Sequence, residues 1–145
     1  DIQLGENKVR LVGILGGNEP WLEYYGDSTK LPESSEPYGF LADLRDCDLP
    51  TIWLAHMPNM MIFFEPYKEY RMDLVLSGHV HGGVWEIPGI GGVISPSEGL
   101  FPHYDKGEYS FGDTKFILSG GLSGYSWIPR IFNLPEICVI NLSPN

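Results

Sequence analysis

His79 and His81 stand two apart in the stretch Asp73-Leu74-Val75-Leu76-Ser77-Gly78-His79-Val80-His81-Gly82-Gly83. In an extended segment that spacing puts both imidazoles on one side. There, two neutral ring nitrogens can bind one transition metal, or one each of a pair of metals. The apolar run before them predicts a short buried strand, and Ser77-Gly78 predicts a turn at its carboxyl end. Gly82 and Gly83 leave room for a substrate group, because no Cβ obstructs its approach. The plain alternative is that both histidines are packed or hydrogen-bonded residues at a strand end. His56 shifts the balance, since it closes a second short apolar run, Thr51-Ile52-Trp53-Leu54-Ala55. Two neighbouring strands that each end in histidine at one sheet edge are what a metal site at the carboxyl ends of a sheet requires. His103 has no neighbour at metal-ligand spacing and is expected at the surface.

The elements that must position these residues follow from periodicity. Ile2-Gln3-Leu4 and Val9 to Leu15 predict a hairpin about a turn at Gly5-Glu6-Asn7-Lys8, the second run being apolar enough for a central strand. Residues 16–38, rich in Gly, Pro, Ser and acidic side chains, predict a long loop anchored by Trp21, Tyr24 and Tyr25. Apolar spacing at Phe40, Leu41 and Leu44 predicts a short amphipathic helix, and Asn59 to Glu65 a second one ending near Pro66. The order strand, helix, strand thus recurs, which marks an α/β arrangement. Further strands are expected at Thr114–Leu118 and Ile137–Leu142, with residues 89–108 as a glycine-rich loop. Between the last two strands lies Ser119-Gly120-Gly121-Leu122-Ser123-Gly124, whose backbone N–H groups could face an anion. Arg130 follows it, and its planar guanidinium can hold a phosphate bidentately or pair with Glu136.

Composition bounds the partners. A formal net charge of −10 with scattered Lys and Arg excludes a general nucleic-acid surface, because phosphate backbones repel such a chain. An acidic protein can still bind phosphate esters where divalent metals reverse the local field. Cys47 and Cys138 fit no Cys-x-x-Cys pattern and are expected as free thiols. No stretch approaches the roughly 20 apolar residues that span a bilayer.

The runs Leu54-Ala55-His56-Met57-Pro58 and Leu76-Ser77-Gly78-His79-Val80-His81-Gly82-Gly83 resemble the second half of the calcineurin-like metallophosphoesterase domain, whose late motifs are a lone His and a Gly-His-x-His. Ile87-Pro88-Gly89, Gly107-Glu108-Tyr109, Ser119-Gly120-Gly121-Leu122, Arg130-Ile131-Phe132 and Pro135-Glu136-Ile137 follow the pattern of the bacterial phosphodiesterase branch. The resemblance implies that residues 1–145 are the carboxyl-terminal part of one domain, half of a four-layer α-β-β-α sandwich with a mixed sheet and short covering helices. It implies His56 and His79 as ligands of one metal and His81 of another, and Gly82, Gly83 and Arg130 are expected to bind the substrate. Two divalent ions, Mn, Fe, Zn or Ni, are implied in the complete enzyme.

The family's early motifs, Asp-x-His, Gly-Asp-x-x-Asp and Gly-Asn-His, have no counterpart here, and Gly16-Gly17-Asn18-Glu19 lacks the histidine of the last. No catalytic acid or base is therefore assigned. The expected function is a metal-dependent phosphodiester hydrolase, incomplete in this chain alone, whose substrate is a small or lipid-linked phosphoester. The missing half or another subunit is expected to complete it, in a bacterial cytoplasm or at a membrane. The alternative is a non-catalytic metal- or partner-binding α/β module derived from such an enzyme.

Overall fold

The structure is a computed structural model that describes residues 1–14, 39–125 and 127–143. The loop expected at 16–38, with Trp21, Tyr24, Tyr25 and Gly16-Gly17-Asn18-Glu19, lies outside the described residues. The chain divides into two compact units, Asp1–Ser77 with Glu108–Ile117, and Gly78–Gly107 with Leu118–Asn145.

A six-stranded mixed sheet dominates the first unit. Its strands are β1 (Ile2–Leu4), β2 (Asn7–Ile14), β3 (Thr51–Ala55), β4 (Leu74–Ser77), β9 (Gly107–Phe111) and β10 (Thr114–Leu118), in the order β1-β2-β3-β4-β10-β9. β1 and β2 are antiparallel, with Leu4 opposite Asn7, so the turn is the two residues Gly5-Glu6 rather than the four expected. Gly5 makes that tight turn with φ +63°, a conformation open to glycine at no steric cost. β2, β3 and β4 run parallel, Val12 beside Trp53 and Trp53 beside Val75.

That register sorts the side chains onto two faces. Val12, Ile14, Thr51, Trp53, Ala55 and Val75 are buried on one face. On the other, Leu11 lies beside Ile52, Ile52 beside Leu74, and Leu54 beside Leu76; Leu11 and Leu54 are each 42% exposed. β2 is thus flanked on both edges as a central strand is, but it is buried on one side only.

The helices described within the crossovers that parallel strands require are short, at most six residues each. Between β2 and β3 a 3-10 helix, Gly39–Leu44, replaces the expected α-helix and buries Leu41 and Leu44. Between β3 and β4, helix α1 (Asn59–Phe64) forms as expected and buries Met61; Glu65 ends it with φ +48°. Trp53, fully buried, donates from its indole nitrogen to the Thr51 hydroxyl at 3.3 Å and the Arg71 carbonyl at 3.1 Å. Its large ring therefore enters the core without an unsatisfied donor. Asp73 fastens the start of β3 beside the start of β4, accepting from Thr51 N at 2.7 Å and pairing with Arg71 at 3.0 Å.

In the second unit, two ribbons of two residues a strand replace the expected structureless loop: β5 (Glu86–Ile87) with β6 (Gly91–Gly92), and β7 (Ile94–Ser95) with β8 (Gly99–Leu100). The strand expected at Ile137–Leu142 does not form. Those residues make no ladder, and Ile137 and Val139 are 75% and 82% exposed. Apolar alternation marks a segment fit for a sheet but supplies no neighbouring strand. Cys47, buried, and Cys138, exposed, are free thiols. Among the described residues no helix is long and apolar enough to cross a membrane.

Candidate functional site

Beyond β4 the chain enters a loop whose backbone is left-handed at five positions: His79 (φ +70°), His81 (+52°), Gly82 (+64°), Gly83 (+71°) and Val84 (+51°). Val80 between the histidines is right-handed, at φ −81° and ψ −4°. The extended His-x-His expected from the sequence is therefore not formed, and the two rings are not presented as alternate residues of a strand. For a residue with a Cβ this conformation costs about 1–2 kcal/mol, and for β-branched Val84 it is a marked outlier. Such strain persists only where the surroundings impose it.

Three restraints do so, all within the second unit. Tight turns close through Gly83 N to Val80 O at 2.9 Å and Val84 N to His81 O at 3.3 Å, and the Val80 and Val84 side chains are fully buried. Close packing takes up the glycines: a Cβ on Gly83 would lie 2.4 Å from the Gly92 Cα, and one on Gly82 would lie 2.8 Å from Asn133 Oδ1. The third restraint is Asn133, only 2% exposed. Its Nδ2 donates to the carbonyls of His81 at 2.7 Å, Gly82 at 3.1 Å and Val84 at 3.1 Å. Its Oδ1 accepts from Lys106 Nζ and Arg130 Nη1, each at 3.4 Å, and Lys106 also pairs with Glu86 at 2.5 Å.

His81 Nδ1 lies 3.2 Å from the Ser123 carbonyl oxygen, and the ring stands edge-on to Tyr125 with centroids 5.6 Å apart. A carbonyl only accepts, so the hydrogen bond places the proton on Nδ1 and leaves the Nε2 lone pair available. Arg130 donates to the same carbonyl, from Nε at 2.9 Å and Nη2 at 2.5 Å, and further to Gly121 O at 3.1 Å and to Gly120 O. The ion pair with Glu136 considered from the sequence does not form: Glu136 Oε1 instead accepts from Gly120 N at 2.7 Å. Gly121 N donates to Ser119 Oγ at 3.0 Å. Those two N–H groups are committed inside the protein rather than presented to an anion.

His79, His81, Gly82, Gly83 and Arg130 thus share the second unit, and Arg130 meets His81 at the Ser123 carbonyl. His56, exposed, follows β3 in the first unit. His103 is exposed, as expected, its ring edge-on to Tyr104 at 4.8 Å. Asn133 goes unnoticed in the sequence, and Ser123 is read there only as part of a loop offering N–H groups, not for its carbonyl. A lone Asn in Arg-Ile-Phe-Asn carries no pattern, and Ser123 acts through its carbonyl, which every residue has.

Over 105 residues the chain is 36% identical to the uncharacterized metallophosphoesterase YkuE of Bacillus subtilis (strain 168), covering 72% of this chain and 34% of that protein. The chain belongs to the metallophosphoesterases. It is also 29% identical over 97 residues to the phosphodiesterase YaeI of Escherichia coli (strain K12), covering 67% of this chain and 34% of YaeI. With the UDP-2,3-diacylglucosamine pyrophosphatase LpxG of Chlamydia muridarum (strain MoPn / Nigg) it shares 35% identity over 98 residues, 63% of this chain and 29% of LpxG. The matches fall in the carboxyl-terminal portions of these metallophosphoesterases, and the chain spans about a third of their length. No family model and no solved structure matches.

Metallophosphoesterases depend on divalent metal, and the donor chemistry here fits that requirement at His81. An imidazole that gives its Nδ1 proton to a backbone carbonyl is oriented, and made more basic at Nε2, as metal-bound histidines are. The ligand set is not closed, however. Among the described residues no group of three or more His, Cys, Asp or Glu side chains is gathered to hold an ion.

Proposed function

We propose that this chain carries the histidine half of the metal centre of a phosphodiesterase-like hydrolase, with His56, His79 and His81 as ligands. The observation that carries the reading is the His81 imidazole, whose Nδ1 lies 3.2 Å from Ser123 O, a contact that in the neutral ring puts the proton on Nδ1 and the lone pair on Nε2. The chemistry supplied by a bound pair of divalent ions, Mn, Fe, Zn or Ni, is Lewis acidity toward phosphoryl oxygens and acidification of an attacking water. Within that scheme the residues of this chain bind and orient. His79 and His81 offer neutral nitrogens, the Ser123 carbonyl holds the His81 ring, and Arg130 holds that carbonyl. Gly82, Gly83 and Arg130 act on the substrate indirectly, by fixing the loop. The names of LpxG and YaeI suggest a phosphodiester or pyrophosphate, small or lipid-linked, as substrate.

Carboxylate ligands and the catalytic acid come, in this reading, from outside the described residues. Three observations support it. No three donors gather among the described residues, Leu11 and Leu54 lie open on the second face of the parallel strands β2–β4, and residues 134–142 present apolar side chains without a ladder. Parallel sheets are ordinarily covered on both faces, so a second layer completing a four-layer sandwich fits that open face. The same exposed surfaces favour the second reading, a partner-binding module without catalysis.

The two readings separate when bis-p-nitrophenyl phosphate hydrolysis in Mn²⁺ is measured for two forms. One is the chain alone, and the other is the chain joined to the part of YkuE that precedes its matched stretch. The hydrolase reading expects near-background rates from the chain alone and turnover from the chimera. His79→Ala or His81→Ala should then reduce kcat/KM by more than the roughly 10–100-fold typical of an outer-shell partner. A folded, inactive chimera, or turnover indifferent to both substitutions, leaves the module.

A further inference from the structure

We infer that Asn133 is a positioning residue: its buried carboxamide imposes the left-handed course of His81–Val84 and, through it, the aim of the His81 imidazole. The consequence for metal rests on the function proposed above; the positioning itself does not.

The loop needs an external restraint. Two of its residues with side chains, His81 and Val84, adopt backbone that each would leave if released. Its carbonyls also turn inward, where buried acceptors must find donors. One amide meets the need at His81, Gly82 and Val84 together, sharing two N–H bonds among three oxygens.

The amide cannot turn over. Lys106 and Arg130 both donate to Oδ1, and a flipped carboxamide would set its NH₂ against two cations and its oxygen against three carbonyls. Glu86 in turn holds Lys106. A closed circuit results: Asn133 Nδ2 grips the backbone of His81, Arg130 joins Asn133 Oδ1 to the Ser123 carbonyl, and that carbonyl receives the His81 ring. Backbone and ring of one histidine are thereby fixed by two residues three apart in sequence. No other side chain has this geometry: Asp would set oxygen against oxygen, and Gln would overfill the gap, since Asn133 Oδ1 already lies 2.8 Å from where a Cβ on Gly82 would stand.

The test uses this chain at a pH where imidazole is neutral, comparing it with Asn133→Asp and Asn133→Ala. His ¹⁵N resonances report the tautomer of His81, and amide hydrogen exchange reports the loop. In the unaltered chain His81 is expected as the single Nδ1–H tautomer. In both variants it should become a mixture, and the Gly83 and Val84 amides should exchange at least about tenfold faster, equivalent to one lost hydrogen bond. Amides of β3 and β4 should keep their protection. If Asn133→Asp fails to fold, Asn133→Ala, whose vacated space admits water to the carbonyls, decides the matter. A folded variant with the His81 tautomer and loop exchange of the parent overturns the inference. The two proposals fail separately: unchanged His81 signals on adding Zn²⁺, with the tautomer and exchange results as expected, would sink the metal reading and leave the positioning role standing.

Discussion

His79 shows what the histidine loop stores. Its φ of +70° is paid for elsewhere in the unit, so the two shortest replacements should differ in stability although both delete the ring. His79→Gly accepts the left-handed backbone freely and His79→Ala does not. The glycine variant should be the more stable by about 1 kcal/mol, read as the difference in unfolding free energy from urea titration. Equal stabilities would mean that the loop is unstrained.

Glu65 gives a second residue-scale test. Hydrogen bonds from Lys68 and then Tyr67 hold its carboxylate below the usual range, and the bond to Glu65 raises Lys68 above the usual lysine value. A lowered carboxylate stabilises fully above its unfolded value, about 4.3, and loses that contribution as pH falls through the depressed one. Lys68 contributes below about 10.4, and its share is lost as pH rises through the raised value. Both groups are solvent-exposed, so the effect is small. Glu65→Gln should lower Tm slightly near neutrality and leave it unchanged in acid, where the parent's carboxyl is protonated too, so that the fall of Tm below about pH 4.5 is shallower. At this scale the sequence announced His79 and His81 by type and spacing. It did not announce their backbone, because the left-handed φ at His81 is imposed by Asn133, which lies far along the chain.

Among the elements, β3, β4 and β10 were legible nearly to the residue, because apolar runs bounded by turn residues specify strands locally. The Ile137–Leu142 segment has the same local signature and forms no strand, since pairing depends on a neighbour that the signature does not encode. Asp73 tests how the parallel pair is fastened. Asp73→Ala removes the acceptor of Thr51 N and the partner of Arg71, whose pKa it raises. Because Asp73 is 43% exposed, a loss of about 1–2 kcal/mol is expected by urea denaturation. The crossing of the histidine loop over β6 tolerates less. Gly83→Ala would drive a Cβ to 2.4 Å from backbone and add left-handed strain. A loss of about 3 kcal/mol or more should follow, with faster exchange confined to residues 78–107.

For the whole molecule, charge and apolar exposure oppose each other. A net charge of −10 repels copies of the chain, whereas Leu11, Leu54, Ile137 and Val139 offer them apolar contact. Light scattering should show self-association that grows with salt, as screening removes the repulsion. Leu54→Lys with Val139→Lys should suppress it while changing Tm little, since neither side chain is buried. Association unaffected by both substitutions would place the contact elsewhere.

If the His79 and His81 imidazoles bind metal as proposed, titration of the chain with Zn²⁺ under imidazole ¹⁵N detection should shift the Nε2 resonance of His81 first and that of His79 next, and leave His103 unmoved. Equal shifts at all histidines, or a response at His103 alone, would contradict the proposal.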